Sequence, residues 1–239
     1  MKWWVMGLVL FALDSTAQEL KIGFGTHKPP YLFENQDKGL EYDIIVAAAR
    51  AAGLRISASY APRERLHRAL NRGELDGIAT TNSRGGITRF YSQPYIVYDN
   101  VAVALTSRGY QIESIADLAP YSISAFQRAR FQLGEDFQRI AEASPRYREE
   151  AQQIAQNRLL FSGRIDVVVG DSRVLRYFNR EVYSQVDVSQ PVTEYRIFPP
   201  THYQLGLQDK ALRNRFDQGL AAIRASGEYQ RIEQRYALY

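Results

Sequence analysis

From Leu20 the apolar positions first run as a strand, "LKIGFGT", which ends at Lys28-Pro29-Pro30. "EYDIIVAAARAAG" then places apolar residues at helical spacing and stops at Gly53, a residue suited to the left-handed position after a helix. "RISASYA" alternates and predicts a second strand. "PRERLHRALNRGELD" is amphipathic at helical period with a proline at its start, and "GIAT" is a short buried strand. Strand, helix, strand, helix, strand is the order of a parallel sheet with right-handed crossovers.

The later chain repeats the device. Leu70-Asn71-Arg72-Gly73-Glu74-Leu75-Asp76, leading into Gly77-Ile78-Ala79, has a counterpart in Leu160-Phe161-Ser162-Gly163-Arg164-Ile165-Asp166, leading into Val167-Val168-Val169. Each reads as a helix end, a glycine that stops it, an aspartate at the turn and a buried strand. Two similar α/β lobes follow. In open α/β sheets ligands gather beyond the carboxyl ends of the strands. There the first lobe offers Thr80, Thr81, Asn82, Ser83 and Arg84, and the second offers Gly170, Asp171 and Ser172. Thr81 and Asp171 stand at the same distance from their turn aspartates, so they are expected to face each other across a cleft. A guanidinium would take a carboxylate by two parallel hydrogen bonds, and Asp171 would take an ammonium.

"YSQPYIVYDN" (91–100) crowds aromatic surface just ahead of an apolar strand, "VAVAL". Core packing, a dimer edge and a cleft wall are the readings open to it.

Six segments, in order, resemble the periplasmic solute-binding proteins of family 3, the polar amino-acid binders of ABC importers. They are "THKPPYLFE", "GLEYDIIVAAA", "LNRGELDGI", "YSQPYI" with Tyr91 in a phenylalanine position, "GRIDVVVGDSRVLRYF" and "ASGEYQRIEQRY". The resemblance implies a two-lobed type II periplasmic-binding fold: each lobe is a mixed, mainly parallel sheet flanked by helices, and two strands form the hinge. Residues 19–104 and 198–239 would make one lobe and 105–197 the other. Tyr91 and Tyr95 would then pack under the cleft or at the hinge. The resemblance also implies ligand-binding roles for Tyr31 and Arg65, beside Thr80, Thr81, Asn82, Arg84 and Asp171. Glu41 and Asp43 are expected to favour the start of the first helix, where a carboxylate suits the dipole.

Two departures stand out. The family's carboxylate-binding arginine sits six residues before Phe-Ser-x-Pro-Tyr, whereas Arg84 lies seven before Tyr91 and Arg89 two before it. The family's Gly-Ser/Thr at a helix N-terminus is replaced by Ser124-Ala125-Phe126-Gln127-Arg128-Ala129. Gln127 or Arg128 is expected to substitute with its side chain.

The start of the chain changes the compartment. Met1-Lys2, an apolar run from Trp3 to Leu13 and small residues at Ser15 and Ala17 predict a cleavable signal peptide over residues 1–17, and so a periplasmic protein. There is no cysteine, hence no disulfide or thiolate chemistry. The net charge of +4 is scattered, which argues against nucleic acid as a partner. No cofactor or metal is expected, and the chain is read as a monomer. A small polar solute, most simply an amino acid or related zwitterion, is the expected ligand, with an ABC permease or a membrane sensor as the receiving partner. Enzymatic readings are weaker. Gly170-Asp171-Ser172 has the form of an esterase start, but none of His27, His67 and His202 has an aspartate three residues before it. "GFGTHK" lacks a third glycine and a following helix. A lyase resembling cyclohexadienyl dehydratase would require a buried glutamate in the cleft.

Overall fold

The computed structural model describes residues 18–88 and 90–239; the predicted signal peptide and Arg89 lie outside the described residues. In chain order come β1 (Gln18–Phe24), α1 (Leu40–Ala51), β2 (Leu54–Tyr60), α2 (Arg63–Asn71), β3 (Gly77–Thr81), β4 (Phe90–Tyr91) and β5 (Ile96–Tyr98). A second block holds β6 (Asn100–Leu105), β7 (Ile123–Phe126), α3 (Ala129–Gln132), α4 (Glu135–Ala143), β8 (Tyr147–Glu150), α5 (Ile154–Phe161), β9 (Val167–Asp171), α6 (Ser172–Val182) and β10 (Val192–Tyr195). The chain then returns through β11 (Thr201–Leu207), α7 (Lys210–Ala225) and α8 (Glu228–Arg235).

The two blocks form two sheets. The first has the order β2-β1-β3-β11-β4, with β5 also paired to β11; the second has the order β10-β6-β9-β7-β8. In each, three strands run parallel (β2-β1-β3 and β8-β7-β9), and an antiparallel strand, β11 or β6, joins the inner edge. The sequence repeat has a structural meaning here. Asp76 accepts the backbone N–H of Lys21 at 2.7 Å, and Asp166 accepts that of Ser122 at 2.9 Å. Each turn aspartate thus ties the foot of its own strand to the parallel neighbour. Gly73 and Gly163 supply the positive φ, 71° and 68°, that ends the preceding helix.

Alternation decides which side chains are buried where. Val167 and Val169 of β9 enter one core with Ile123, Ala125 and Phe137, while Val168 packs on the opposite face with Val101, Val103 and Leu160. The first sheet buries Ile22, Phe24 and Leu205 against Ile44 and Ile45 of α1 and Phe216 and Leu220 of α7. α1 and α7 touch at backbone distance: a Cβ built on Gly219 would stand 1.9 Å from the Ala48 carbonyl oxygen.

The chain crosses between sheets twice, at Asp99 and over Arg196–Pro200. Both crossings lie side by side, because β5 pairs with β11 and β6 with β10, all antiparallel. The side-chain amide of Asn100 and the Thr201 hydroxyl meet across them at 2.9 Å. This is the two-strand hinge of a two-lobed α/β protein.

Candidate functional site

Between the lobes, below the carboxyl ends of β3 and β9, lies a small pocket. Lys28, Arg63, Thr80, Tyr98 and Tyr203 line it from the first sheet's side, and Asn100, Phe126, Gln153 and Asp171 from the second's. Its enclosed cavity is only about 10 Å³, room for about one water. A second cavity of about 20 Å³ adjoins it past Lys28, Arg63, Phe126 and Gln153, bordered by Gln127 and Glu150.

The floor of the pocket is a closed polar network. The Lys28 ammonium spends its three N–H groups on Glu41 at 2.5 Å, the Thr80 hydroxyl at 2.5 Å and the Tyr98 hydroxyl at 3.1 Å. Glu41 accepts four bonds, from Lys28, Thr80, Tyr95 and Tyr98. Each hydroxyl donates to Glu41 and accepts one bond in return; Tyr95 receives the Thr80 N–H at 2.7 Å. Burial lowers the Lys28 ammonium to about 8 despite Glu41 beside it. Burial also pushes the Glu41 carboxyl up, but Lys28 and the hydroxyls outweigh it and hold the group below its ordinary value. Glu41 therefore lies in the first turn of α1 as the sequence places it, yet its carboxylate serves this network instead of the helix end. Asp43 is tied to Arg235 and to the Tyr236 hydroxyl, both at 2.9 Å. Glu41 is a buried glutamate beneath the pocket, but it is not among the residues lining it and all its acceptor positions are taken.

Thr80 is strained. A β-branched residue at φ 53° is an outlier. The strain coincides with a bulge: Thr81 and Ile78 of β3 pair with Gln204 and Gly206 of β11, so β3 carries an extra residue there. The bulge turns the Thr80 side chain into the network, and Arg63 clamps the Thr80 carbonyl from above.

Asp171 ends β9 and caps α6. Its Oδ1 accepts the N–H groups of Arg173 at 3.0 Å and Val174 at 3.2 Å. Its Oδ2 accepts the Tyr31 hydroxyl at 3.0 Å and the Asp99 N–H at 2.9 Å. Burial raises its carboxyl to about 6 against the pull of these four bonds. Tyr31 is itself buried, stacked on Tyr98 at 3.9 Å between ring centroids.

The sequence-derived candidates fall into three groups. Thr80 and Asp171 line the central pocket, and Tyr31 braces Asp171 from beneath. Gln127, Arg128 and Asn82 sit where the lobes touch. Gln127 accepts the Glu64 N–H at 3.4 Å, Arg128 reaches Glu64 at 3.1 Å and the Gly85 carbonyl at 3.4 Å, and Asn82 reaches the Gln132 carbonyl at 3.5 Å. Three candidates stand apart from the pocket. Thr81 is buried but does not line the pocket; the bulge brings Thr80 into the lining with Asp171 in its place. Arg84 is exposed and borders an open groove with Gly134 and Pro199. Arg65 is exposed on α2, whereas Arg63 reaches the pocket. Spacing explains the last difference: Arg63 shares a helix face with the buried Leu66, His67 and Leu70, and Arg65 does not. Lys28, Arg63, Asn100 and Gln153 line the pocket without standing out in the sequence. Tyr95 is buried under the pocket in the Glu41 network, while Tyr91, on β4 beside Gly206 of β11, receives the N–H groups of Ile87 at 2.9 Å and Thr88 at 3.3 Å.

Two sheets, a paired hinge and a polar pocket at the strand ends define a two-lobed solute-binding protein. Residues 20–239 match the bacterial extracellular solute-binding proteins, family 3, and the chain belongs to that family. The chain is 27% identical over 220 residues to the probable histidine-binding protein of Neisseria gonorrhoeae, covering 83% of this chain and 74% of that one. Among solved structures, a histidine kinase sensor domain with similarity to periplasmic binding proteins superposes with a TM-score of 0.76 at 19% identity, over 93% of this chain and 97% of that one. An ancestral arginine-binding protein bound to arginine superposes with a TM-score of 0.74 at 18% identity, over 92% and 99%. The chain has the type II periplasmic-binding fold of amino-acid-binding proteins.

Proposed function

We propose that this protein captures a small polar solute between its lobes outside the cytoplasm and delivers it to an ABC importer. One observation carries the reading: the pocket draws its lining from both sheets, and only two adjacent crossings, at Asp99 and over residues 196–200, connect them. Rotation about those crossings opens the cleft; closure brings the two halves of the lining together. The enclosed volume is near that of one water, so a solute enters with the lobes apart. Closure then removes its polar contacts from water and strengthens them. Ligand drives closure only through tighter binding to the closed form. The signal peptide predicted over residues 1–17 supports a periplasmic setting for this cycle. Among the described residues no helix is long and apolar enough to cross a membrane.

The test is a thermal-shift screen of the processed chain against amino acids, polyamines and organic acids, followed by small-angle scattering with each hit. Binding of the native form raises the melting temperature by mass action. A hit that also reduces the radius of gyration supports the reading, and no hit across the panel refutes it. Co-purification from membranes decides the partner: a permease is expected, and recovery of a sensor kinase in its place would move delivery to signalling.

A further inference from the structure

We infer that the interlobe pocket selects a small hydroxycarboxylate anion over the amino acid of the same skeleton. The inference rests on the solute-capture reading above and names the ligand class of that same pocket.

The argument is an inventory of what the pocket leaves free. Four charged side chains face the two adjoining cavities. Lys28 has no N–H left, since Glu41, Thr80 and Tyr98 take all three. Asp171 has about four acceptor positions, and four protein donors fill them. Glu150 is paired with Arg148 at 2.5 Å. Arg63 alone has no carboxylate partner among the described residues; it gives one N–H to the Thr80 carbonyl and has further donors in its fork. An ammonium brought into this pocket finds its acid already saturated, while a carboxylate finds a planar guanidinium. The formal charges of these four side chains cancel, but Arg63 alone keeps unpaired donors, so the hydrogen bonds the pocket leaves unmade call for an anion's oxygens.

A second group sets the other end of the ligand. Asn100 is buried and lines the pocket; its Nδ2 is engaged with Thr201 at 2.9 Å, and its Oδ1 has no donor. A lone buried acceptor calls for one donor, which a hydroxyl supplies, whereas an ammonium would bring three N–H groups into a pocket whose Asp171 acceptors are already filled. Gln153, half-buried between the two cavities, offers a further amide to the carboxylate, and Phe126 forms an apolar wall against the carbon skeleton.

Calorimetric titration of the processed chain with matched pairs decides the matter: glycolate and glycine, lactate and alanine, malate and aspartate. Members of a pair differ only in hydroxyl against ammonium. We expect at least one hydroxy acid to bind tenfold or more tighter than its amino counterpart, and propionate to bind more weakly than lactate. Arg63→Gln is expected to weaken that hydroxy acid by thirtyfold or more, with Arg63→Lys retaining part of the affinity. Both variants should keep the wild-type circular dichroism spectrum. Equal or tighter binding of the amino acids overturns this inference while leaving solute capture intact, as does anion binding indifferent to Arg63→Gln. Failure of every compound here and in the wider screen overturns both.

Discussion

The ion pair beneath the pocket allows a sharp test, Lys28→Met. The substitution preserves an unbranched apolar stem and deletes the ammonium, leaving Glu41 fully buried with three hydroxyl donors and no countercharge. Removing one partner of a buried pair costs about 3–5 kcal/mol, because the remaining charge stays uncompensated. Domains of this kind are stable by about 5–15 kcal/mol in total, so the loss is readily measured. The double variant Lys28→Met, Glu41→Gln should recover much of it, since a neutral amide still accepts from the surrounding hydroxyls. Urea titration followed by circular dichroism measures all three proteins; Trp3 and Trp4, the two tryptophans, both lie in the predicted signal segment, so the assay does not rely on tryptophan fluorescence. The pH dependence gives a second reading. Lys28 is held at about 8, below its ordinary 10.5, so between those values the unfolded chain keeps a proton that the folded one has released. Stability from this group therefore rises with pH across that window, by about 3 kcal/mol, and the rise should vanish in Lys28→Met. A single-variant loss below about 1 kcal/mol, or a double variant no more stable than the single, would show that the pair is not the unit described.

Three further outcomes follow from named contacts. Asp171 titrates near 6 when folded against an ordinary 3.8, so its contribution is fully present below 3.8 and is lost as pH rises through 6, about 3 kcal/mol in all. Asp171→Asn should abolish that segment of the stability profile between pH 4 and 7, measured by urea midpoints, and should itself cost about 1–3 kcal/mol because an amide nitrogen would face another donor. Gly219→Ala should destabilise by about 1–3 kcal/mol or more in thermal melts, since its methyl meets the Ala48 carbonyl at 1.9 Å and α1 must move. Arg65→Ala should change stability by no more than about 0.5 kcal/mol and leave solute binding intact, whereas Arg63→Ala should weaken binding; equal effects would place Arg65 in the pocket after all.

The framework of this fold is local, and the sequence carries it well. The strand-helix-strand order from Leu20 to Ala79, the glycines that end α2 and α5, and the paired turn aspartates each depend on a few neighbouring residues. Asp76 and Asp166 occupy equivalent places because the same turn needs the same carboxylate to catch the next strand's first N–H. The candidate site is legible only where it rests on such local rules. Asp171 and Thr80 follow from the strand ends, and Arg63 was available from helical periodicity. The family resemblance points to Arg65, although position 63 shares the buried stripe of α2.

What sequence alone conceals is the pairing of Lys28 with Glu41 and Thr80, joined from three separate elements. A lysine beside two prolines reads as an exposed turn residue, and a glutamate at a helix start reads as a partner of the dipole. Burial inverts both readings. Once the lobe closes over them, each charge is tolerable only because the other is present, and the bulge at Thr80 supplies the hydroxyl that joins the two. The consequence reaches the ligand. Glu41, Thr80 and Tyr98 consume the donors of Lys28, and the α6 N-terminus with Tyr31 and the Asp99 N–H consumes the acceptors of Asp171, so the two most conspicuous charges in the cleft are spent on architecture. Selectivity then passes to groups that look ordinary in the sequence, one arginine on a helix face and one hinge asparagine. A solute is recognised by the hydrogen bonds the fold has left unmade.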